Sequence, residues 1–416
     1  MMAALLLTEI GLLAGTHPAA VALLRGRDLS QLPVLKDAWL LCENGLIKDF
    51  GLMTALPADL PNSLDSISVQ GASVYPSWCD SHTHLVFAKS REEEFVMKIQ
   101  GKSYEEIAAA GGGILNSARS LQEASEEELF EGAMSRLEDV IKLGTGAIEI
   151  KSGYGLTTAS ELKMLRVIRR LKETSPIPIK ASFLAAHAYP LEYKNDHEKY
   201  INLILQEMLP RVADEGLADY IDVFCEKGFF SVAETDRILS AAALYNLRPK
   251  IHANQLSVSG GVEIGVKHHA LSVDHLESTD PATIECLKDG STIATLLPSC
   301  SFYLNMPFAD ARGLINANVP VALATDYNPG SSPSGNMNFV VSLACIKLKM
   351  LPEEAINAAT LNGAAAMELS TTMGSITRGK KANFFVTRPS TPSMAFLPYS
   401  FGQPQLDKII INGKIY

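Results

Sequence analysis

The sequence predicts an α/β fold, a (β/α)8 barrel of the TIM type with a small composite β-sandwich domain formed by both termini. Through the middle of the chain, short apolar runs alternate with amphipathic helical patterns, which is typical of a parallel sheet. There are eight such runs, the number that closes a TIM-type barrel. The expected barrel strands are 74–79, 147–151, 179–184, 220–224, 249–253, 271–275, 292–297 and 321–325.

Strand-like segments at both ends of the chain predict the second domain. An Asn-Gly step follows or separates apolar runs at Asn44-Gly45 and again at Asn412-Gly413, and this dipeptide favours a tight β-hairpin. The 416 residues suffice for one large domain and a smaller one. We expect residues 1–73 and 374–416 to form the β domain together, and residues 74–373 to form the barrel.

Several helix starts and one loop can also be placed. Ser103, Ser125 and Thr158 each precede a Glu by three residues, the spacing of a capping box. After Ser125, apolar residues recur on one helical face. The glycine-rich run 110–113 lies between the first two barrel strands, and we expect it to be a mobile loop beside the active site.

Composition and charge limit the classes of partner. The formal net charge of −10 argues against binding to nucleic acid or to an anionic membrane. The six cysteines are scattered without a Cys-x-x-Cys pair, which favours a reducing cytoplasm. The apolar N-terminus lacks a basic region, and two prolines interrupt the uncharged run 292–309. We expect a cytoplasmic protein with a small-molecule partner and no membrane partner; its oligomeric state stays open, with a homodimer as one alternative.

Two histidines directly follow the first predicted strand, in the order Asp80-Ser81-His82-Thr83-His84. Residues two apart in an extended chain point to the same side, so both imidazoles can bind one ion. Alone, a His-x-His pair would more often lie in a surface loop. Here the pair follows a strand of buried type, where barrel enzymes hold their active sites.

Two further residues can complete a metal site. Strand five carries His252, and strand eight ends in Asp326. Three imidazoles and one carboxylate would leave one coordination position for water, as a catalytic metal requires. Taken singly, His252 fits a hydrogen-bonded core histidine equally well, and Asp326 fits a helix N-cap. Their common position at strand ends favours the metal.

This set of residues resembles the amidohydrolase superfamily. Strand four ends in Cys225-Glu226 rather than in the bridging Lys of the two-metal members, so the resemblance is to the mononuclear subgroup. Within it, several stretches are similar to the imidazolonepropionase family of histidine degradation. These stretches are 80–88, 90–95, 103–107 through 111–114, 149–156, 186–188 and 325–330.

The resemblance implies a reaction and a set of site residues. The reaction is hydrolysis of 4-imidazolone-5-propanoate to N-formimidoyl-L-glutamate. One divalent metal ion per chain, zinc or iron, would be held by His82, His84, His252 and Asp326. The implied substrate contacts are Arg91, Tyr104, Tyr154, His187, Gln255, Asn328, Gly330 and Ser331.

The identity of the general base stays open between two residues. Gln255 stands where the wider subgroup prefers Glu, and an amide cannot carry a proton, so it is expected to contact substrate. His275 at the end of strand six and Asp326 are the candidate bases. The alternative role of His275 is structural, orienting Asp326.

Two other functions also stay open. One is a deaminase or cyclic amidase of another heterocycle, such as guanine. The other is a non-catalytic barrel with a binding role.

Overall fold

The strands of this computed structural model form two sheets, one from both ends of the chain and one from its middle. The structure describes residues 4–60, 64–102, 106 and 112–416. Within that part, the strands are β1 Ala4–Ala14, β2 Val34–Glu43, β3 Leu46–Leu52, β4 Leu64–Ser68, β5 Ser73–Pro76, β6 Trp78–Asp80, β7 Thr145–Lys151, β8 Ile179–Ala186, β9 Tyr220–Cys225, β10 Arg248–Ala253, β11 Ser272–His275, β12 Ile293–Leu296, β13 Val321–Leu323, β14 Phe384–Thr387, β15 Leu406–Ile411 and β16 Lys414–Ile415.

Both ends of the chain contribute to the first sheet, as the sequence predicted. Its order is β16-β15-β14-β5-β1-β2-β3, with β4 also paired to β1. The β2–β3 hairpin turns at Asn44 and Gly45, whose φ angles of 53° and 79° are those that this turn requires. Leu7 and Ile10 from the N-terminal part pack with Phe384 from the C-terminal part in one apolar core.

The second sheet is the predicted eight-stranded barrel. Strands β6 to β13 lie side by side in chain order, and every pair is parallel. The sheet closes beyond β6 and β13, where Thr83 and Tyr327 form a parallel bridge. The amide of His84 donates to the carbonyl of Tyr327 at 2.8 Å, and the amide of Asp326 donates to the carbonyl of His82 at 3.0 Å.

The expected first barrel strand, 74–79, is wrong as a single strand. Ser73–Pro76 pairs with β1 and β14 in the terminal sheet, and only Trp78–Asp80 belongs to the barrel. The chain changes partner at Ser77, whose amide donates to Asn383, whereas the amide of Trp78 donates to Gly144. All of these residues are buried, so hydrophobicity does not mark the change.

Helices connect the barrel strands and cover the sheet. They are α1 Glu92–Ile99, α2 Ile114–Glu123, α3 Glu126–Lys142, α4 Thr158–Thr174, α5 His197–Leu203, α6 Leu209–Asp214, α7 Val232–Ala243, α8 Gly261–Lys267, α9 Pro281–Leu287, α10 Pro298–Leu304, α11 Ala311–Asn316, α12 Met337–Ile346, α13 Pro352–Ala359, α14 Leu361–Ala365 and α15 Phe396–Tyr399. Short 3-10 turns lie at Gly26–Ser30, Met53–Ala55 and Leu191–Tyr193, and a π-turn, Ile204–Met208, joins α5 to α6. Among the helices that the structure describes, none is long and apolar enough to cross a lipid bilayer.

One predicted capping box is confirmed and another is wrong. Ser125 caps α3 through a reciprocal pair of bonds with Glu128. The cap of α4 is Thr157 rather than Thr158. The carboxylate of Glu161 turns away from it and accepts the amides of Gly153, Gly155 and Leu156. Ser103 of the third predicted box, and residues 110 and 111 of the glycine-rich run, fall outside the described residues.

Candidate active site

The four predicted metal ligands converge at the carboxyl end of the barrel. Nε2 of His82 and Nε2 of His84 lie 3.7 and 3.6 Å from Oδ1 of Asp326. Nε2 of His252 lies 3.3 Å from Nε2 of His84. All four residues are buried, with at most 2% of their surface exposed. His82, His84 and His252 come from the beginning and middle of the barrel, and Asp326 from its last loop, so the barrel's closure completes the set.

The chemistry of these donors fits a bound divalent cation. Among the described residues, Nε2 of His82 has no hydrogen-bond partner, although it is buried. Nε2 of His84 and Nε2 of His252 face each other, and Oδ1 of Asp326 lies near Nε2 of both His82 and His84. Buried nitrogen and oxygen donors in such a group are the ligands that zinc or iron takes in proteins.

His275 lies in the same group. Its ring approaches His82 and His252 closely enough for three imidazole nitrogens to lie within 4.8 Å of one another. Nδ1 of His275 is 3.4 Å from Oε1 of the buried residue Glu277. If Nδ1 carries the proton that Glu277 accepts, Nε2 is the basic nitrogen and is directed away from Glu277.

A buried network of charged residues holds the histidine rings, and sequence reasoning missed most of it. Nδ1 of His82 lies 2.6 Å from Oδ2 of Asp274, and Nδ1 of His252 lies 3.0 Å from Oδ1 of Asp222. A carboxylate on Nδ1 fixes the tautomer and leaves Nε2 free to bind a metal. Lys151 contacts both carboxylates, at 2.7 Å to Asp222 and 3.8 Å to Asp274.

The same network extends below the histidines. Glu149 bonds to Lys151 and to Lys250, and Lys250 donates to the carbonyl of Ser81 at 3.0 Å. A sequence signal for it existed. Lys250 is two residues before His252 in β10, and Glu149 is two residues before Lys151 in β7, so each pair shares one face of its strand.

Burial and the mutual charges determine the protonation of this centre. Burial, followed by the charge of Lys151, holds the pKa of His82 well below its usual range. Burial, followed by His187, does the same for the pKa of His84. Burial disfavours the charged form of Lys151. The neighbouring carboxylates of Asp222 and Glu149 outweigh this effect of burial and raise the pKa of the ammonium. His82 and His84 are therefore neutral, the form of imidazole that binds metal.

Two residues of the centre have an unusual backbone conformation. Asp326 has a φ of 56° and His275 a φ of 87°, in the left-handed region that residues with a side chain rarely adopt. Such angles each cost on the order of 1–3 kcal/mol and persist where the surrounding structure enforces them. Here the bond from the Asp326 amide to His82 across the barrel seam holds the carboxylate toward the histidines.

A cavity of about 580 Å³ opens beside the histidines, and most of the residues predicted to contact substrate line it. The predicted residues that line it are Arg91, Tyr154, His187, Gln255, Asn328, Gly330 and Ser331, together with His275 and Asp326. Tyr104 lies outside the described residues. Sequence reasoning did not assign Glu94, Lys98, Phe224 and Phe229, which also line the cavity.

Arg91 is paired inside the protein. Its Nε lies 2.8 Å from Oε1 of Glu94 and its Nη2 lies 2.5 Å from Oε2, a bidentate ion pair. Glu94 also accepts the amide of Gly113 at 2.9 Å. Gly330 lies against the remaining nitrogen, since a Cβ there would be 2.1 Å from Nη1 of Arg91. Arg91 is thus a positioned donor, with one nitrogen directed along the cavity wall at Gly330.

The tautomer of His187 follows from its backbone partner. Nδ1 lies 3.1 Å from the carbonyl oxygen of Gly153, so Nδ1 carries the proton and donates it. Burial, followed by His252, lowers the pKa of His187 to about 3, so the ring stays neutral. Nε2 is then an acceptor, so in this tautomer His187 can accept a hydrogen bond from a substrate but cannot donate one to a substrate carbonyl.

Asn328 and Gln255 have partners within the protein. The amide oxygen of Asn328 accepts from Gly330 and Ser331 at 2.8 Å each, and its nitrogen donates to the carbonyl of Asp326 at 2.6 Å. Asn328 thereby shapes the loop that follows β13. Nε2 of Gln255 lies 3.5 Å from Sγ of Cys300.

Comparison with known proteins places the chain in a family. The model of the amidohydrolase family matches residues 73–416. The imidazolonepropionase of Christiangramia forsetii is 56% identical over 411 residues, covering 99% of both chains. That of Flavobacterium johnsoniae is 54% identical over 410 residues, also covering 99% of both. That of Clostridium tetani is 42% identical over 391 residues, which are 94% of this chain and 93% of the relative.

Solved structures of similar fold include two deaminases. E. coli guanine deaminase superposes with a TM-score of 0.71 at 14% identity, covering 100% of this chain and 99% of that one. An adenosine deaminase from Xanthomonas campestris with bound zinc has a TM-score of 0.69 at 18% identity, covering 99% and 92%. At these identities the likeness concerns the fold alone. The barrel, its convergent histidines and the full-length relatives agree: the chain belongs to the amidohydrolase family and, within it, to the imidazolonepropionases.

Proposed function

We propose that this chain hydrolyses the cyclic amide C–N bond of 4-imidazolone-5-propanoate and releases N-formimidoyl-L-glutamate. One observation carries the proposal: His84, His252 and Asp326 line a single cavity together with Arg91. His82, the fourth convergent residue, lies directly behind them, with Nε2 3.7 Å from Oδ1 of Asp326. The substrate has a hydrolysable ring amide and a propionate carboxylate. The cavity offers a matching group for each.

One divalent ion, zinc or iron, would be held by His82, His84, His252 and Asp326. When bound, such an ion supplies a water of pKa about 7 and polarises the substrate carbonyl. The residues of the chain bind and orient the ring and move the protons.

Substrate placement follows from the donors and acceptors of the cavity. Arg91 would bind the propionate, since a guanidinium binds a carboxylate with directed hydrogen bonds. Burial raises the pKa of Tyr154, so its phenol stays protonated and can donate to the carbonyl oxygen. His187, with Nε2 as acceptor, would accept a ring N–H. Gln255 is a further substrate contact that carries no proton.

Ring opening moves one proton. The attacking water adds its oxygen to the carbonyl carbon, the C–N bond breaks, and the ring nitrogen leaves with a proton. His275 would take the proton of the water on Nε2 and deliver it to that nitrogen, because Glu277 is placed to hold Nδ1–H. The alternative is Asp326, which lies within 3.7 Å of both His82 and His84.

The direct test is turnover by the purified protein. We expect the absorbance of the imidazolone ring to disappear with formation of N-formimidoyl-L-glutamate, and guanine to remain unchanged in a parallel assay. Metal analysis should give about one equivalent of zinc or iron, as three imidazoles and one carboxylate require. Two tightly bound equivalents, or full activity after metal removal, would contradict the single-metal scheme.

The cellular compartment is part of the same proposal. All six cysteines are unpaired, and burial raises the pKa of most of them, including Cys42 and Cys79 to about 12. Free thiols support a cytoplasmic enzyme.

A further inference from the structure

Three charged residues lie together where α1 and its N-cap residue line one end of the cavity. Arg91, Glu94 and Lys98 are spaced by three and four residues, so they share one face of the helical segment. All three line the cavity that also contains the convergent histidines. No role is assigned to Lys98 by the proposed contacts.

The ion pair of Arg91 removes most of its net charge. Glu94 is buried and binds the guanidinium through both carboxylate oxygens, at 2.8 and 2.5 Å. Seen from the cavity, the pair is electrically close to neutral, although Arg91 can still direct a hydrogen bond. A neutral pair does little to distinguish a carboxylate from an uncharged amide of the same shape.

Lys98 lies beside this pair. Its Nζ is 3.4 Å from the carbonyl oxygen of Gly330 and 5.8 Å from the ring centroid of Tyr303. Gly330 is also the residue that packs against Nη1 of Arg91. Both cations therefore lie against the same glycine.

The charges of the described lining at this end then sum to one positive charge. Arg91 and Lys98 contribute two cations, and Glu94 contributes one carboxylate. We infer that Lys98 is a specificity-determining residue, whose ammonium supplies the net positive charge that selects the carboxylate of the substrate. This inference rests on the proposed function and adds to it the residue that discriminates an anionic from a neutral side chain.

The competing explanation is a structural lysine. Lys98 is exposed, and a lysine in that position could act only by holding the carbonyl of Gly330. A tether would affect every substrate alike, whereas a charge would affect only anionic substrates. Two substrates therefore separate the explanations: imidazolone propionate and its propanamide analogue, in which an amide replaces the carboxylate.

The experiment compares four variants. Lys98→Met removes the charge and Lys98→Arg keeps it. The double variant Glu94→Gln, Lys98→Met restores one net positive charge at this end of the cavity, because the guanidinium of Arg91 is then no longer neutralised. Lys142→Met is the control, since Lys142 is a surface lysine on α3 that pairs with Asp139 at 3.9 Å. Circular dichroism and metal content establish that each variant is folded and loaded.

For Lys98→Met we expect KM for imidazolone propionate to rise roughly tenfold, with kcat little changed, because the attraction between one positive charge and the substrate carboxylate is lost. KM for the propanamide should stay as in the unaltered enzyme. Lys98→Arg and the double variant should both recover most of the loss, and Lys142→Met should match the unaltered enzyme.

Equal effects on both substrates, or no recovery in the double variant, would overturn the role of Lys98 and leave the proposed function in place. Absence of turnover by the unaltered, metal-loaded enzyme would instead overturn the proposed function, and the inference with it.

Discussion

Nζ of Lys151 lies 2.7 Å from Oδ2 of Asp222, and the other oxygen of Asp222 lies 3.0 Å from Nδ1 of His252. The same ammonium lies 3.8 Å from the carboxylate of Asp274, which binds His82. One buried cation thus connects the two carboxylates that orient two of the histidines. Its charge counteracts the cost of burying both carboxylates.

Asp222→Asn should weaken metal binding. Asparagine can accept from Nδ1 of His252, but it lacks the charge that makes the imidazole a better ligand. We expect about 10- to 100-fold lower metal affinity, measured by competition with a chelator of known affinity. Asp236→Asn, on a surface carboxylate that binds Lys267 and His268, is the control and should not change the affinity. Unchanged affinity in Asp222→Asn would mean that His252 is held without the carboxylate.

Lys151→Met should destabilise the fold itself. It leaves Glu149, Asp222 and Asp274 buried with one cation fewer, and breaking a buried pair costs roughly 3–5 kcal/mol. Denaturant unfolding of the metal-free proteins measures this loss without a contribution from metal affinity. In Lys180→Met, which removes a partly exposed pair with Asp219, the loss should stay below about 1 kcal/mol. Similar losses of stability in Lys151→Met and Lys180→Met would show that burial does not make the ion pairs of Lys151 more important to the fold.

His275→Asn tests the general base. Asparagine keeps a hydrogen bond but transfers no proton, so we expect kcat to fall about a hundredfold or more, with metal content retained. The control, His268→Asn, changes a histidine bonded to Asp236 away from the cavity and should leave kcat unchanged. A near-normal kcat in His275→Asn would assign the proton transfer to Asp326 and leave His275 a structural residue.

His187→Gln tests the neutral acceptor. Since the pKa of His187 is lowered to about 3, the ring does not titrate in the assay range. The variant should lower kcat/KM without changing the shape of the pH profile between about pH 5 and 9. The pKa of His187 is lower in the folded protein than in the unfolded chain, so protons bind the unfolded chain more readily. The free energy of unfolding should therefore decrease as the pH falls from about 6.5 to about 3. Loss of one limb of the profile in the variant would show that His187 is protonated in catalysis.

The positions of the four convergent residues along the chain were predictable, because each ends or follows a buried strand. His82, His252 and Asp326 could be assigned from that pattern together with their ligand chemistry. The partners of these residues were not predictable in the same way. Asp222 and Lys250 sit inside apolar strands, and only the barrel brings them to the rings and carbonyls that they bind.

Two other details depended on three-dimensional packing. Three glutamates follow Arg91, and the sequence alone does not choose among them. The helical turn brings Glu94, at the third position, onto the guanidinium. Likewise, the change of sheet at Ser77 depends on which backbone group is nearest, Asn383 or Gly144, and both belong to distant parts of the chain.

The closure of the barrel between Thr83 and Tyr327 has a consequence for biosynthesis. Asp326 is the last of the four proposed ligands to be made, and it reaches the histidines across this seam. A ribosome-bound chain that ends before the eighth barrel strand has its three histidine ligands but lacks both the carboxylate and the strand that closes the sheet. Under the proposed ligation, the metal can therefore take its final geometry only after the chain has been synthesised well past residue 326.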